Sequence, residues 1–311
     1  MKMENNKIYN MDCLEGMKQL PDESVDMILC DLPYGTTCAK WDTIINLDKL
    51  WEQYKRIIKS NGIIVLFSDE PFTSRLIYSN LKMFKQRITW DKDRKSGFLN
   101  ANRMLLKQTE DICLFWDKLP TYNPQMVKSK PTSRERYKSN LTIGLNNRVY
   151  GKVENHKRGD DFNPELSFPS NLIKVSANIG ECNTHSRVHP TQKPLKLIKW
   201  LIKTYSNEGN LILDNCMGSG TTAVACVQTR RNFIGYEINK EYYDIAVGRI
   251  QSAKSQTQLS NESCPNGEFN MGLKVQKSKI SSPKLSPTEI TSPNPNIQRL
   301  YPNLNFYSKR L

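Results

Sequence analysis

The alternation of short apolar runs with amphipathic segments is the feature that most constrains the fold of this chain. Two runs rich in β-branched residues, VDMILC (25–30) and IIVLF (63–67), have the composition of buried strands in parallel sheets. Between them, LDKLWEQYKRII carries its apolar residues at helical spacing: Leu47, Leu50, Tyr54 and Ile57. Two later segments, QRITW and DICLFW, predict further strands. This part of the chain therefore predicts a doubly wound α/β sheet.

The same alternation resumes near residue 190. The segment TQKPLKLIKWLIKTY (191–205) predicts a helix, with Pro194 suited to its first turn. Further elements follow in alternation: strand LILD, loop NCMGSGTT, helix AVACVQT, strand FIGYE and helix KEYYDIAVGRI. Residues 1–116 and 187–251 are therefore expected to form one domain.

Residues 117–186 interrupt this domain with a loop-rich, basic segment. Between positions 128 and 158, nine Lys or Arg residues face only two Glu residues, and tyrosines are interleaved. We expect this segment to be an insertion with a function of its own. After about residue 252 the chain is rich in Ser, Asn, Pro and Lys and has no apolar period, so a disordered tail is expected at 252–311.

Charge and cysteine content narrow the class of protein. The net charge of +14 favours a polyanionic partner, through neutralisation of phosphates and release of their counterions. The eight cysteines form no C-x-x-C pair and the three histidines have no zinc-site spacing, so neither a metal site nor a disulfide framework is expected. The N-terminus lacks an apolar leader, and no apolar run is long enough to span a bilayer. A soluble, cytoplasmic protein without membrane contacts is expected.

Two polar corners at predicted strand ends are candidates for a functional site. The first is Asp31-Leu32-Pro33-Tyr34, directly after VDMILC. The second is the glycine loop after LILD, where Gly218 and Gly220 open a helix and allow backbone N–H groups to approach an anionic ligand. Glu237 ends the next strand, where a carboxylate can accept two ribose hydroxyls. Glycine loop and carboxylate together favour an adenosyl-type cofactor.

With both corners identified, the chain resembles the β group of S-adenosylmethionine-dependent DNA amino-methyltransferases. The catalytic motif of that family, [D/N/S]-P-P-[Y/F], matches DLPY, and its cofactor motif, D-P-F-x-G-x-G-T-T, matches DNCMGSGTT. HPTQKP (189–194) matches the segment that the family places before its cofactor strand. The resemblance covers residues 7–251, and DLPYGTT, KWD and PTYNPQM resemble a subgroup found in phages and restriction–modification systems. The chain departs from the family pattern at Leu32 and at Asn215-Cys216.

This resemblance implies a Rossmann-like sheet, S-adenosylmethionine as cofactor, and methyl transfer to the exocyclic N6 amino group of adenine in DNA. If Asp31 and the Leu32 carbonyl each accept one N–H of the amine, its lone pair becomes available to attack the methyl group. Pro33 restricts the residue before it and so directs the Leu32 carbonyl. Tyr34 is expected to stack on the flipped-out base. The basic segment 117–186 would recognise the target DNA.

The cofactor residues are likewise implied by the resemblance. The methionine end of S-adenosylmethionine is expected near Thr191, Lys193 and the Gly218–Gly220 loop, which Asp214 supports and Thr221 continues. Glu237 is expected to bind the ribose. Asp12 matches the family position near adenine, although a helix cap explains an acid there equally well. The expected partners are double-stranded DNA, a second copy of the chain and a cognate restriction endonuclease.

Three other functions remain open at this point. The same geometry serves the exocyclic amine of cytosine, although aspartate at the first catalytic position favours adenine. Enzymes that methylate RNA or a protein glutamine have a related corner, but they usually place the cofactor loop before it. A non-catalytic DNA-binding protein on the same fold is the third alternative, and intact Asp31, Pro33 and Tyr34 argue against it.

Overall fold

The computed structural model describes residues 3–37, 42–130, 163, 165–177 and 192–258, and the backbone alone at 146–147, 151–152 and 259–262. Its helices are α1 (Cys13–Met17), α2 (Leu47–Ile57), α3 (Phe72–Ser79), α4 (Leu195–Tyr205), α5 (Thr221–Gln228) and α6 (Lys240–Glu262). Its strands are β1 (Lys7–Tyr9), β2 (Val25–Asp31), β3 (Ile58–Ser68), β4 (Phe84–Ser96), β5 (Lys107–Phe115), β6 (Val127–Lys128), β7 (Asn146–Asn147), β8 (Gly151–Lys152), β9 (Leu166–Ser167), β10 (Leu172–Lys174), β11 (Leu211–Asp214) and β12 (Asn232–Tyr236).

Eight strands form one sheet in the order β1-β12-β11-β2-β3-β5-β4-β10. All neighbouring strands are parallel except that β5 runs antiparallel to both β3 and β4. In chain order, β2 and β11 come from the two halves of the sequence, yet they pair directly at the centre of the sheet, with Leu213 opposite Ile28. Their carboxyl ends therefore open at the same edge, where α/β sheets bind ligands.

The sheet is covered by helices on both faces. Alternating residues of β2 point in opposite directions: Leu29 packs with α4, α5 and α6, whereas Ile28 and Cys30 pack with α1, α2 and α3. Because successive side chains point to opposite faces and helices cover both faces, the side chains of its apolar run pack against apolar neighbours on both sides of the sheet. This explains why that run is uninterrupted. The predicted α/β architecture is confirmed, and the predicted apolar face of α2 is buried.

The structure adds three details to the predicted elements. Pro194 is the N-cap of α4 rather than its first helical residue. β10 belongs to the segment predicted as an insertion, yet it pairs with β4 at the edge of the main sheet. α6 continues to Glu262, and Ala253 is buried against the core, so the helix extends past the predicted start of the tail at 252. Residues 263–311 and most basic residues of the predicted insertion lie outside the described part.

None of the helices within the described residues is both long and apolar enough to cross a lipid bilayer.

Candidate active site

A cavity of about 1010 Å³ lies at the carboxyl edge of the sheet, over the tips of β2 and β11. Its volume is at the upper end of the range for small-molecule sites. The two predicted corners open onto this one cavity. Ten of the predicted site residues line it: Asp12, Asp31, Leu32, Pro33, Tyr34, Lys193, Asp214, Gly218, Thr221 and Glu237.

The acceptor corner is built around the carboxylate of Asp31, the last residue of β2. Its Oδ1 accepts a hydrogen bond from the Tyr34 hydroxyl at 2.6 Å. Its Oδ2 accepts from Lys193 Nζ at 2.7 Å. Lys193 was expected near the cofactor, and its pairing with Asp31 was not predicted. Both oxygens of the predicted amine acceptor therefore already hold partners inside the protein.

A second carboxylate lies behind Lys193. Glu110 Oε2, on β5, is 3.3 Å from Lys193 Nζ but is buried without a hydrogen bond of good geometry. Glu110 Oε1 accepts from Lys92 Nζ at 3.1 Å. Burial by itself would raise the pKa of Glu110, but the charges of Lys193 and Lys92 outweigh it and hold the pKa below its usual range. Glu110 is therefore an anion with unused capacity to accept a proton donor.

The charge of Lys193 is maintained by the same groups. Burial would lower the pKa of its ammonium, but Asp31 and Glu110 outweigh that effect and raise the pKa above its usual value. The ammonium also lies 5.7 Å from the Tyr34 ring centroid and 5.2 Å from that of Phe67. Lys193 is thus a permanent cation that can contact either carboxylate.

Tyr34 is held on one side by another aromatic ring. Its ring stacks on Phe72 with centroids 5.5 Å apart and planes inclined by 24°. Burial, followed by the charges of Asp31 and Glu110, raises the pKa of Tyr34, so its hydroxyl remains a proton donor. The predicted stacking of Tyr34 on a nucleobase stays a prediction.

Asp42 clamps the loop that follows the acceptor corner. Its two carboxylate oxygens accept from the backbone N–H groups of Gly35, Thr36 and Thr37 at 2.7–2.9 Å. Burial would raise the pKa of Asp42, but these hydrogen bonds outweigh it and lower the pKa. Residues 38–41 of this loop lie outside the described part. Asp42 thereby orients the chain directly after Tyr34.

The two glycines of the second corner have different reasons to be glycine. Gly218 has φ +53°, and a Cβ added to it would point into open space. Gly220 has φ +83°, and an added Cβ would lie 2.9 Å from the Ala246 side chain of α6. Only Gly218 lines the cavity. The structure thus gives Gly220 a packing role, while its predicted contact with the cofactor stays a prediction.

Hydrogen bonds from α6 hold the glycine loop in place. Arg249 Nη1 donates to the Ser219 carbonyl at 2.6 Å and to Thr221 Oγ1 at 3.2 Å. The Ser219 hydroxyl lies 3.5 Å from Gln192 Oε1 in the segment that carries Lys193. This loop is therefore preorganised and tied to the lysine segment.

Acidic side chains at neighbouring strand tips face the glycine loop. Glu237 Oε2 accepts from the Gly218 N–H at 2.7 Å, and its Oε1 accepts from the Asn239 N–H at 2.8 Å. Burial raises the pKa of Glu237, and it raises the pKa of Asp214 to about 7. Asp214 Oδ1 accepts from the Cys216 N–H at 3.1 Å. Each carboxylate oxygen has two lone pairs, so Glu237 can still accept two hydroxyl groups.

These groups fit an adenosyl cofactor. Gly218 leaves open space against the loop backbone, and Glu237 provides free acceptor capacity at the adjoining strand tip. Asp12 lines the same cavity, but it also caps α1: its Oδ1 accepts from the N–H groups of Leu14 and Glu15 at 2.9 and 3.2 Å. Asp12 therefore has a capping role, and its predicted contact with adenine stays a prediction. Thr191 lies outside the described residues.

Asn215 and Cys216, which depart from the family motif, both have defined surroundings in the structure. The Tyr54 hydroxyl donates to Asn215 Oδ1 at 2.5 Å in the core, and Cys216 lines the cavity. Cys13 and Cys30 line the same wall. Within the described residues, no group of three or more His, Cys, Asp or Glu side chains is arranged to hold a metal ion.

Sequence reasoning missed Glu110, Lys92 and Asp42. A signal existed for Glu110, because it and Asp111 form a pair of acids directly before the buried run ICLF, and acids in such a strand require partners. Its partners, however, come from β4 and from the segment before α4, and only the sheet order reveals that these meet.

Comparison with known proteins identifies the family. A family model described as DNA methylase matches residues 25–248, which contain both corners of the cavity.

The chain belongs to this family of DNA methylases.

Two curated relatives and one solved structure illustrate the similarity. Type II methyltransferase M.HpaI of Haemophilus parainfluenzae is 30% identical over 262 residues, covering 80% of this chain and 75% of the relative. DNA adenine methyltransferase YhdJ of Escherichia coli (strain K12) is 28% identical over 267 residues, covering 80% and 84%. The crystal structure of the M1.HpyAVI–SAM complex is 27% identical, with a TM-score of 0.50, covering 78% of this chain and 98% of that one.

Membership confirms several predictions from the sequence. This DNA methylase has the Rossmann-like α/β fold, transfers a methyl group to DNA, and is of the restriction–modification type. Its cofactor is S-adenosylmethionine.

Proposed function

We propose that this DNA methylase methylates the N6 amino group of adenine in double-stranded DNA. The observation that carries the proposal is the carboxylate of Asp31, which projects into the cavity that also contains the glycine loop. A carboxylate is a strong acceptor for a polarised amine N–H. The 28% identity to a relative named as a DNA adenine methyltransferase supports the choice of adenine.

The cofactor half of the cavity is proposed to bind S-adenosylmethionine through complementary hydrogen bonds. Glu237 accepts the ribose hydroxyls, Gly218 lets the ligand approach the loop backbone, and Asp214 holds the loop through the Cys216 N–H. S-adenosylmethionine, when bound, supplies an electrophilic methyl group. The protein's task is to hold the acceptor nitrogen in line with that group.

The acceptor half is proposed to activate the amine. Asp31 and the Leu32 carbonyl accept one N–H each, and Pro33 keeps Leu32 extended so that its carbonyl faces the base. The lone pair of the nitrogen is thereby withdrawn from the ring and directed at the methyl group. The nitrogen would form a bond to the methyl carbon as the bond from that carbon to the sulfonium sulfur breaks, and the electron pair of the broken bond would leave on the sulfur as a neutral thioether. The methylated nitrogen then releases one proton, which Asp31 receives.

Access to Asp31 requires one of its present partners to leave. Lys193 is the group proposed to move, because Glu110 Oε2 lies only 3.3 Å from its ammonium and lacks a well-oriented donor. A shift of Lys193 toward Glu110 exchanges one carboxylate for another and keeps the ammonium paired. Tyr34 can then remain on Asp31 Oδ1 while the amine uses Oδ2.

Cytosine is the alternative base. The short name of the family model covers both N6 and N4 methyl transfer, and both amines fit between two acceptors. Adenine and cytosine are distinguished as target bases by incubating duplex DNA with labelled cofactor. The product is then digested to nucleosides, and the nucleoside that carries the label is identified. We expect the label in N6-methyldeoxyadenosine, and label in N4-methyldeoxycytidine would contradict the proposal.

The remaining roles belong to the same proposal. The segment 117–186 is proposed to recognise the target sequence, because it is basic and lies between the catalytic motif and the cofactor motif. A cytoplasmic location, a homodimer and a cognate restriction endonuclease are further parts of the proposal. Relatives named Type II methyltransferases support the endonuclease.

A further inference from the structure

The loop between β4 and β5 carries an unusual set of exposed apolar side chains. The exposed fractions are 77% for Phe98, 66% for Leu99, 65% for Met104 and 96% for Leu105. Single exposed apolar residues are common, but a cluster of large ones within one loop is characteristic of an interaction site. This cluster needs a partner that removes it from water.

The loop has structure of its own. The N–H of Asn100 donates to the Gly97 carbonyl at 2.9 Å, and the N–H groups of Arg103 and Met104 donate to the Asn100 carbonyl at 2.9 and 3.0 Å. At its base, β4 and β5 pair Ser96 with Lys107. The apolar side chains are therefore presented by a folded turn, and ordering them on a partner costs little further entropy.

The position of the loop indicates what the partner is. Residues 94–98 line the same cavity as Asp31, so the loop lies beside the acceptor corner. Between positions 94 and 107 the loop has four basic residues, Arg94, Lys95, Arg103 and Lys107, and no acidic one. A DNA segment that delivers a base to Asp31 enters this cavity beside the loop, and its phosphates match Arg94, Lys95 and Arg103 in charge, whereas Lys107 pairs with Asp69.

We propose that the β4–β5 loop inserts Leu99, Met104 and Leu105 into duplex DNA, at the step from which the target base is extruded. This inference rests on the proposed function and specifies how its site opens the duplex. Extruding a base unstacks its neighbours, and an apolar wedge placed in the gap restores part of the lost contact. Arg94, Lys95 and Arg103 contact the adjoining phosphates.

The test compares two substrates for one loop variant. The variant is Leu99→Ser/Leu105→Ser, which changes only exposed side chains and should leave folding intact. One substrate is a fully paired duplex that wild-type enzyme methylates, and the other has an abasic position opposite the target base, so that extrusion costs less. We expect kcat/KM to fall about tenfold or more on the paired duplex and less than about threefold on the abasic one.

The matched control is Leu119→Ser, whose side chain is 82% exposed and lines a different cavity from that of Asp31. It should change neither rate. Equal losses on both substrates, or no loss on the paired duplex, would overturn the wedge. A change of oligomeric state in sedimentation, with equal losses, would assign the loop to contact between two copies and would also overturn it. Failure to find any fully paired duplex that the wild-type enzyme methylates would instead refute the proposed function.

Discussion

Asp31 and Lys193 are the two residues on which the proposed chemistry depends most. An isolated carboxylate at a strand tip would accept an amine readily, but Asp31 is neutralised by a buried ammonium 2.7 Å away. Glu110 makes this arrangement reversible, because it offers Lys193 a second anion within 3.3 Å. The motif DLPY predicts the acceptor, whereas Glu110, the carboxylate proposed to free it, is on a distant strand and could not be predicted.

Glu110→Gln tests that arrangement at the residue scale. The amide keeps the size of the side chain but loses its charge, so Lys193 remains on Asp31 and competes with the target amine. We expect kcat to fall about tenfold to a hundredfold with little change in cofactor affinity, as for loss of one preorganised electrostatic partner. Single-turnover methylation and calorimetric cofactor titration measure the two quantities.

Glu208→Gln is the matched control, since Glu208 pairs with Arg230 on the surface. An exposed ion pair of this kind contributes little, and kcat should not change. If Glu110→Gln also leaves kcat unchanged, Glu110 has no part in freeing Asp31.

At the scale of elements, the glycine loop illustrates how far pattern reasoning extends. The sequence LILDNCMGSGTT predicts a strand, a ligand loop and a helix, and the structure contains all three. The sequence does not distinguish a glycine that faces the cavity from one that faces α6, because that depends on how Ala246, 26 positions after Gly220, packs against the loop. The segment DICLFW was predicted as a strand, but the antiparallel direction of β5 and the edge strand β10 were not predicted, since strand pairing is a property of the assembled sheet.

Gly218→Asn and Gly220→Asn separate the two roles with the same new side chain. Asparagine tolerates positive φ better than other non-glycine residues, so backbone strain is kept small in both variants. At 220 the side chain collides with Ala246, and we expect a loss of stability of about 1–3 kcal/mol. At 218 it projects into the cavity, and we expect weaker cofactor binding with a nearly unchanged melting temperature. Reversal of these two patterns would contradict the assignment.

Asp214 at the tip of β11 should make stability depend on pH. Burial raises its pKa to about 7 in the folded protein, so between about pH 4 and pH 7 the folded state binds the proton more tightly than the unfolded state. Stability from this group is therefore full below the unfolded pKa and is lost as pH rises toward 7. Urea unfolding from pH 5 to pH 8 should show a smaller decline for Asp214→Asn than for wild type, and an equal decline would contradict the shift.

For the whole molecule, charge and topology act together. The order of motifs along the chain places the acceptor corner in the first half and the cofactor loop in the second, and pairing of β2 with β11 brings them to one cavity. The fold could be predicted because the periodicity of apolar residues and the composition of the strands depend on it directly, and the prediction is confirmed. The assignment of 117–186 to DNA recognition depends on its charge and on its position between the two motifs, and it stays a prediction.

The net charge of +14 leads to a salt prediction at this scale. Affinity for duplex DNA should decrease steeply and linearly on a logarithmic plot between about 50 and 200 mM salt, because each phosphate contact releases a counterion. Arg103→Gln in the β4–β5 loop should reduce the slope by about one unit. Fluorescence anisotropy of labelled duplex measures both, and a flat salt dependence would exclude phosphate contacts as the main source of affinity.

The central claim is that Asp31 accepts an adenine amine inside the cavity that also holds the methyl donor. The most direct measurement is to sequence modified bases in DNA from cells that express either wild-type protein or Asp31→Ala. We predict N6-methyladenine at one recurring sequence with the wild type and none with the variant, which should still bind cofactor. N4-methylcytosine in the wild type, or unchanged methylation in the variant, would contradict the account.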